Sequence, residues 1–148
     1  MNQVMIMEVS ERKAIDSLVS EFWRLGFFTV SRRLGTYLPE PEYVGRFKVD
    51  AIGRLKEKYA IGITLNEEEI LKPDLIEKIN YLASRKSKFS DKPILLLIGV
   101  AENHFKQLKE IMLNVDEKYR KNIKLIRILD EKIESRRKKK VSSQVIFA

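Results

Sequence analysis

Apolar residues at 15, 18, 19, 22 and 25 recur at helical spacing and predict a helix over residues 8–25, with Trp23 widening its buried stripe. Ser10 is placed to cap this helix and Gly26 to stop it. The pattern then changes to strands. Residues 27–33, FFTVSRR, are rich in β-formers. Residues 46–55 alternate Phe47, Val49 and Ala51 against Lys48, Asp50 and Ile52. Lys56 and Glu57 make a turn, and the sparsely charged KYAIGITL of residues 58–65 reads as a buried return strand.

Farther on, residues 72–89 predict a helix with Pro73 in its first turn and an apolar stripe of Leu75, Ile76, Ile79 and Leu82. A buried strand at 92–100, a helix at 102–119 and a strand at 122–129 follow. Asn66 to Glu69 form an acidic cluster, and residues 130–140 read as a short basic helix. The order is α-β-β-β-α-β-α-β. A meander of three strands followed by helix-linked strands predicts an α/β fold with a mixed five-stranded sheet and helices on both faces. Residues 1–129 form one domain and 130–148 a basic C-terminal tail. Between the first two strands, residues 34–45 hold two prolines and two glycines and read as a binding loop, in which Tyr37 and Tyr43 either stack on bases or pack the loop.

Composition narrows the chemistry. The 148 residues contain no cysteine and one histidine, His104, which excludes thiol catalysis and makes zinc an unsuitable metal. An oxygen-bound Mg²⁺ remains compatible. The acids near the N-terminus do not fit a signal peptide, and the apolar run at 94–100 is too short to span a bilayer. A cytoplasmic protein with no membrane partner is expected, and the abundance of Ile, Lys and Glu fits a thermophile. The net charge of +8 is uneven: residues 118–140 hold eleven Lys/Arg against three Asp/Glu, and the rest of the chain balances. Such a segment points to a polyanionic partner, DNA above all, with a solubilising tail as the plainer alternative.

LVSEFWRLGF (18–27), VDAIGRL (49–55) and YAIGITLN (59–66), with the element order, resemble the PD-(D/E)XK nuclease superfamily, and within it the archaeal Holliday junction resolvases. The resemblance implies a restriction-endonuclease-like fold over residues 8–129. It also implies a homodimer, and a Mg²⁺ site made of an aspartate on the second strand, Glu-X-Lys on the third and an acid from the first helix. Such an ion would activate water and stabilise charge on the phosphate. Transferred residue by residue, the pattern is mostly missing. Asp50 matches the strand-two aspartate and is the candidate metal ligand. Gly62 and Thr64 stand where the glutamate and lysine belong, and the helix acid falls near Ile15. A large neighbour packed over the missing side chain accounts for Gly62.

Lys48, sharing a strand face with Asp50, and Glu11, one helical turn from Ile15, are the candidates to rebuild the site beside Asp50, with Glu68 a weaker one. The other reading of Asp50 is a surface or ion-paired residue beside Lys48. Arg32, Arg33, Arg46, Lys48, Arg54, Lys56 and Lys58 on the first three strands, with Arg136, Arg137, Lys138, Lys139 and Lys140 of the tail, are the expected phosphate contacts. Against this, Glu57 and the acids of 67–69 are available to neutralise them. The expectation is therefore a DNA-binding protein of nuclease-like fold that has lost catalysis and needs no cofactor. The alternatives are a Mg²⁺-dependent endonuclease or junction resolvase with a rearranged site, and an interaction or structural subunit that recruits a partner through a resolvase-like dimer surface or the apolar VIFA end.

Overall fold

In a computed structural model of the chain, residues 2–88 and 90–129 are described, with side chains from residue 11 onward. The basic segment 130–140 and the VIFA end lie outside the described residues. Helix α1 (Asn2–Arg24) leads into strands β1 (Phe28–Arg32), β2 (Ala51–Leu55) and β3 (Lys58–Leu65). Helices α2 (Glu67–Ile70) and α3 (Leu75–Ala83) precede β4 (Leu95–Ala101), and α4 (Glu102–Met112) and α5 (Glu117–Arg120) precede β5 (Ile123–Ile128). The five strands form one sheet in the order β1-β2-β3-β4-β5. The first three pair antiparallel and the last three parallel. A mixed five-stranded α/β sheet flanked by helices agrees with the sequence expectation.

Each face of the sheet is covered because strand side chains alternate. Ile61, Ile63 and Leu65 of β3, with Leu96, Ile98 and Val100 of β4, pack with Leu75, Ile79 and Leu82 of α3 and Leu108 of α4. On the opposite face Ala51, Ala60 and Leu97 pack with Leu18 and Phe22 of α1. Ile15, Leu18 and Phe22 are fully buried, as their helical spacing predicts. Trp23 is not: it is 72% exposed, one position off the buried stripe.

Several boundaries differ from the sequence reading, each for a local reason. The helix α1 begins well before Ser10, so Ser10 is not its cap. Gly26 does end it, with φ +90, a conformation that glycine adopts at little steric cost. The acidic cluster folds as α2 through a reciprocal capping box between Asn66 and Glu69. The long helix expected at 102–119 breaks after Met112. Asp116 caps α5, its backbone N–H donates to Asn80 Oδ1 at 2.9 Å, and Arg120 donates to the Leu113 carbonyl at 2.7 Å. Strand β2 is shorter than expected because the chain changes face: Phe47 and Val49 enter the α3 side, whereas Ala51 enters the α1 side.

A charged tie joins α1 to the far edge strand. Lys124 Nζ of β5 lies 2.6 Å from Glu21 Oε1, and Arg24 binds the same oxygen. The Arg24 hydrogen bond, opposed by burial and reinforced by Lys124, lowers the Glu21 pKa from an ordinary 4.5 to about 2. A carboxyl with a depressed folded pKa contributes stability that is present above the unfolded value and is lost as pH falls toward the folded one. Between pH 5 and pH 2 the protein is expected to lose about 1–2 kcal/mol more unfolding free energy than Glu21→Gln, after allowance for solvent screening. Urea denaturation of both proteins across that range measures the difference.

Candidate functional site

The expected metal end of the sheet is where β1, the segment before β2 and the C-terminal part of β3 meet. Asp50 is 6% exposed there, and its backbone bridges both neighbours. Its N–H donates to the Gly62 carbonyl at 2.9 Å, and its carbonyl accepts from Arg33 N–H at 2.9 Å. Both carboxylate oxygens are engaged. Oδ1 accepts from Arg33 Nη1 at 2.6 Å. Oδ2 accepts from the Thr64 backbone N–H at 2.7 Å and from the Thr64 hydroxyl at 3.0 Å. Of the two roles open to Asp50 in the sequence, the ion-paired one describes its contacts, but its partner is Arg33 and not Lys48.

Arg33 links this aspartate to α1, since its Nη2 lies 3.4 Å from Glu11 Oε2. Burial works against its charge. The Asp50 hydrogen bond and the negative charges of Asp50, Glu11 and Glu40 outweigh that, and the guanidinium pKa is raised above its ordinary value. Glu11 and Asp50 are thus brought to one group, but that group is a cation. Lys48 stands apart: it is exposed and lines a groove with Leu65, Glu69 and Lys72 beside α2. The change of face between Val49 and Ala51 removes the strand parity on which its pairing with Asp50 was argued. Glu68 lies in α2, past the end of β3.

The two positions that lack the nuclease residues have other uses. Gly62 is buried under α1. A Cβ added there would sit 3.1 Å from Leu18 Cδ1 and 3.2 Å from Phe22 Cζ. Gly53, two strand positions from Ala51 on the same face, meets Phe22 and Phe27 equally closely. Thr64 supplies two donors to Asp50 where a lysine would supply a catalytic ammonium. The donor set does not suit a divalent ion. The single buried carboxylate is already neutralised, its lone pairs toward β1 and β3 are taken, and a guanidinium holds the position between the acids. Among the described residues no three His, Cys, Asp or Glu side chains gather.

The proposed phosphate contacts divide into two groups. Arg32 pairs with Asp16 at 2.7 Å, Arg33 with Asp50 and Glu11, and Arg46 with Glu77 at 2.5 Å. The neutralising acids come from α1, α3 and the segment before β2, and not from Glu57 or residues 67–69 as the plainer reading expected. Lys48, Arg54, Lys56 and Lys58 are exposed and have no acid partner among the described residues. Residues 136–140 lie outside the described residues. Tyr37 and Tyr43 are 95% and 64% exposed, so neither packs the loop. His104 is half-buried at the start of α4.

Arg33 was legible as one more basic residue but not as the aspartate's partner. The signal was the register: Arg32 pairs with Ala51, so Arg33 falls opposite Asp50. Two outcomes follow from this arrangement. Replacing Gly62 with glutamate, as the nuclease pattern would have it, drives a charged side chain into Leu18 and Phe22. It should destabilise the fold by more than about 3 kcal/mol. Asp50→Ala leaves Arg33 with Glu11 alone and the Thr64 N–H without its acceptor, and should cost about 2–3 kcal/mol, with Asp50→Asn recovering part of it through Thr64. Denaturant midpoints of the three variants check both. No protein-family model, curated protein or solved structure matches the chain, so a functional reading rests on these side chains and their surroundings.

Proposed function

We propose that the chain is a nucleic-acid-binding protein of nuclease-like fold that does not cleave its ligand. One observation carries this reading: the only acid retained from the expected catalytic set, Asp50, is spent on a structural ion pair with Arg33 and on capping Thr64. A carboxylate so neutralised neither holds an ion nor orients water. DNA is supported as ligand by the net charge of +8 and by four exposed cations without acid partners among the described residues, Lys48, Arg54, Lys56 and Lys58. Lys48 precedes β2 and Lys56 follows it, so the two cations stand at opposite ends of that strand. Such contacts grip phosphates without reading bases.

A second reading, the rearranged endonuclease, gains one observation, because Glu11 and Asp50 converge on the same guanidinium. It requires Arg33 to leave and expose two acids to an incoming ion. The assay that separates the two is incubation with linear, single-stranded and four-way-junction DNA in Mg²⁺ or Mn²⁺. Binding without cleavage is expected. Cleavage would establish the second reading, and failure to bind any DNA at low salt would overturn both and favour an interaction subunit. Affinity for duplex should fall with a log–log salt slope of at least about −3, and each Ala replacement at Lys48, Arg54, Lys56 or Lys58 should reduce that slope by roughly 1.

A further inference from the structure

At the hairpin end of the sheet two aromatic rings lie open. Trp23 is 72% and Phe28 65% exposed, and they meet edge to face with centroids 6.2 Å apart. Phe28 pairs with Arg54 across β1 and β2, and Leu55 Cδ2 lies 3.8 Å from where a Gly26 side chain would begin. The tip of the β2–β3 hairpin therefore sits beside the turn that carries both rings. Arg54, Lys56 and Lys58 are exposed around it. The loop before β4 adds charge, since Ser90 Oγ donates to the Glu57 carbonyl at 2.9 Å and brings Lys88 and Lys92, both exposed, to the same end. Among the described residues none of these five cations has an acid partner. Glu57 is the acid within the turn, and Asp91 is already 3.9 Å from Lys86.

We propose that Trp23 and Phe28, with these cations at the same end of the sheet, form a stacking site for unpaired bases of single-stranded nucleic acid. The inference rests on the nucleic-acid-binding reading and deepens it. Stacking needs free π-faces, which a duplex keeps covered, and phosphates on either side of a stacked base need cations. An apolar protein partner would meet an unfavourable rim of charge. A second copy adding its own edge strand is disfavoured as well. The β1 register is broken by a bulge between Thr29 and Ser31, and the Arg32 N–H is already bonded to the Pro39 carbonyl at 2.9 Å.

Trp23 is the single tryptophan of the chain, so its fluorescence reports on this site alone. The full chain is titrated with oligothymidylate of about 15 nucleotides, with an abasic strand of equal length and with a blunt duplex. Oligothymidylate is expected to quench Trp23, and the abasic strand to bind without quenching it. The double variant Trp23→Ala/Phe28→Ala should weaken oligothymidylate binding roughly 10- to 100-fold and leave duplex affinity unchanged, whereas Trp23→Phe/Phe28→Tyr should retain most of it. Duplex binding with no effect of oligothymidylate on Trp23 would overturn this inference and leave the broader reading standing. Loss of all nucleic-acid binding in the unmodified chain would overturn both. A concentration-dependent dimer that the double alanine variant abolishes would assign the rings to self-association instead.

Discussion

The close approach of α1 to the sheet is the constraint on which the rest of the structure depends. Leu18 and Phe22 settle onto Ala51, Gly53, Ala60 and Gly62, a patch from which side-chain volume is almost absent. Small residues there let the helix sink until its large apolar side chains touch the strand backbones, which excludes water and maximises dispersion contact. The depth of this seat fixes where both ends of α1 fall. Its middle turns bring Glu11 and Asp16 to Arg33 and Arg32 at the end of β1, and its last turn brings Glu21 to Lys124 on β5. One packing decision thus sets three ionic contacts.

The same decision is incompatible with a metal site of the expected kind. A glutamate at position 62 needs the volume that Leu18 and Phe22 fill. With that acid gone, Asp50 would be a buried, unpaired charge, which is costly. The protein satisfies it internally: Arg33 supplies the opposite charge and Thr64 supplies two hydrogen-bond donors. Glycine at 62, threonine at 64 and arginine at 33 are therefore coupled, because each makes the other two tolerable. This is a consistent structural solution, and it accounts for a buried aspartate beside the strand without a metal ion.

How much of this was legible in the sequence depended on the length scale of the signal. The five strands announce themselves through alternation and apolar runs, and the buried stripe of α1 through its helical period. The cover over Gly62 was also readable, because a glycine inside a central strand implies close approach. Trp23 was misplaced because one position on a helix turns a side chain by about 100°, and periodicity alone does not separate the margin of a stripe from its centre. The capping box at Asn66 and Glu69 was available as a local motif and passed over. The partner of Asp50 was not available locally. It follows from the β1–β2 register, which a loop between residues 33 and 50 leaves undetermined until the sheet is assembled.

Where charge remains unspent is what gives the molecule its functional polarity. At the Asp50 end, carboxylates from α1, α3 and the segment before β2 occupy Arg32, Arg33 and Arg46, and Lys48 is left without an acid partner among the described residues. At the hairpin end, Arg54, Lys56, Lys58, Lys88 and Lys92 all lack an acid partner among the described residues, so more of the charge there is left to solvent. A polyanion approaching the described surface is drawn toward the end where more cations are unpaired, since paired charges cancel within a Debye length. The exposed rings of Trp23 and Phe28 lie at that same end and not beside Asp50. Asp50 and the exposed rings with their neighbouring cations therefore lie at different places on the sheet. On the proposed nucleic-acid-binding reading, cleavage would need the two places to coincide, because a nuclease must present the phosphate it grips to the ion that activates the attacking water.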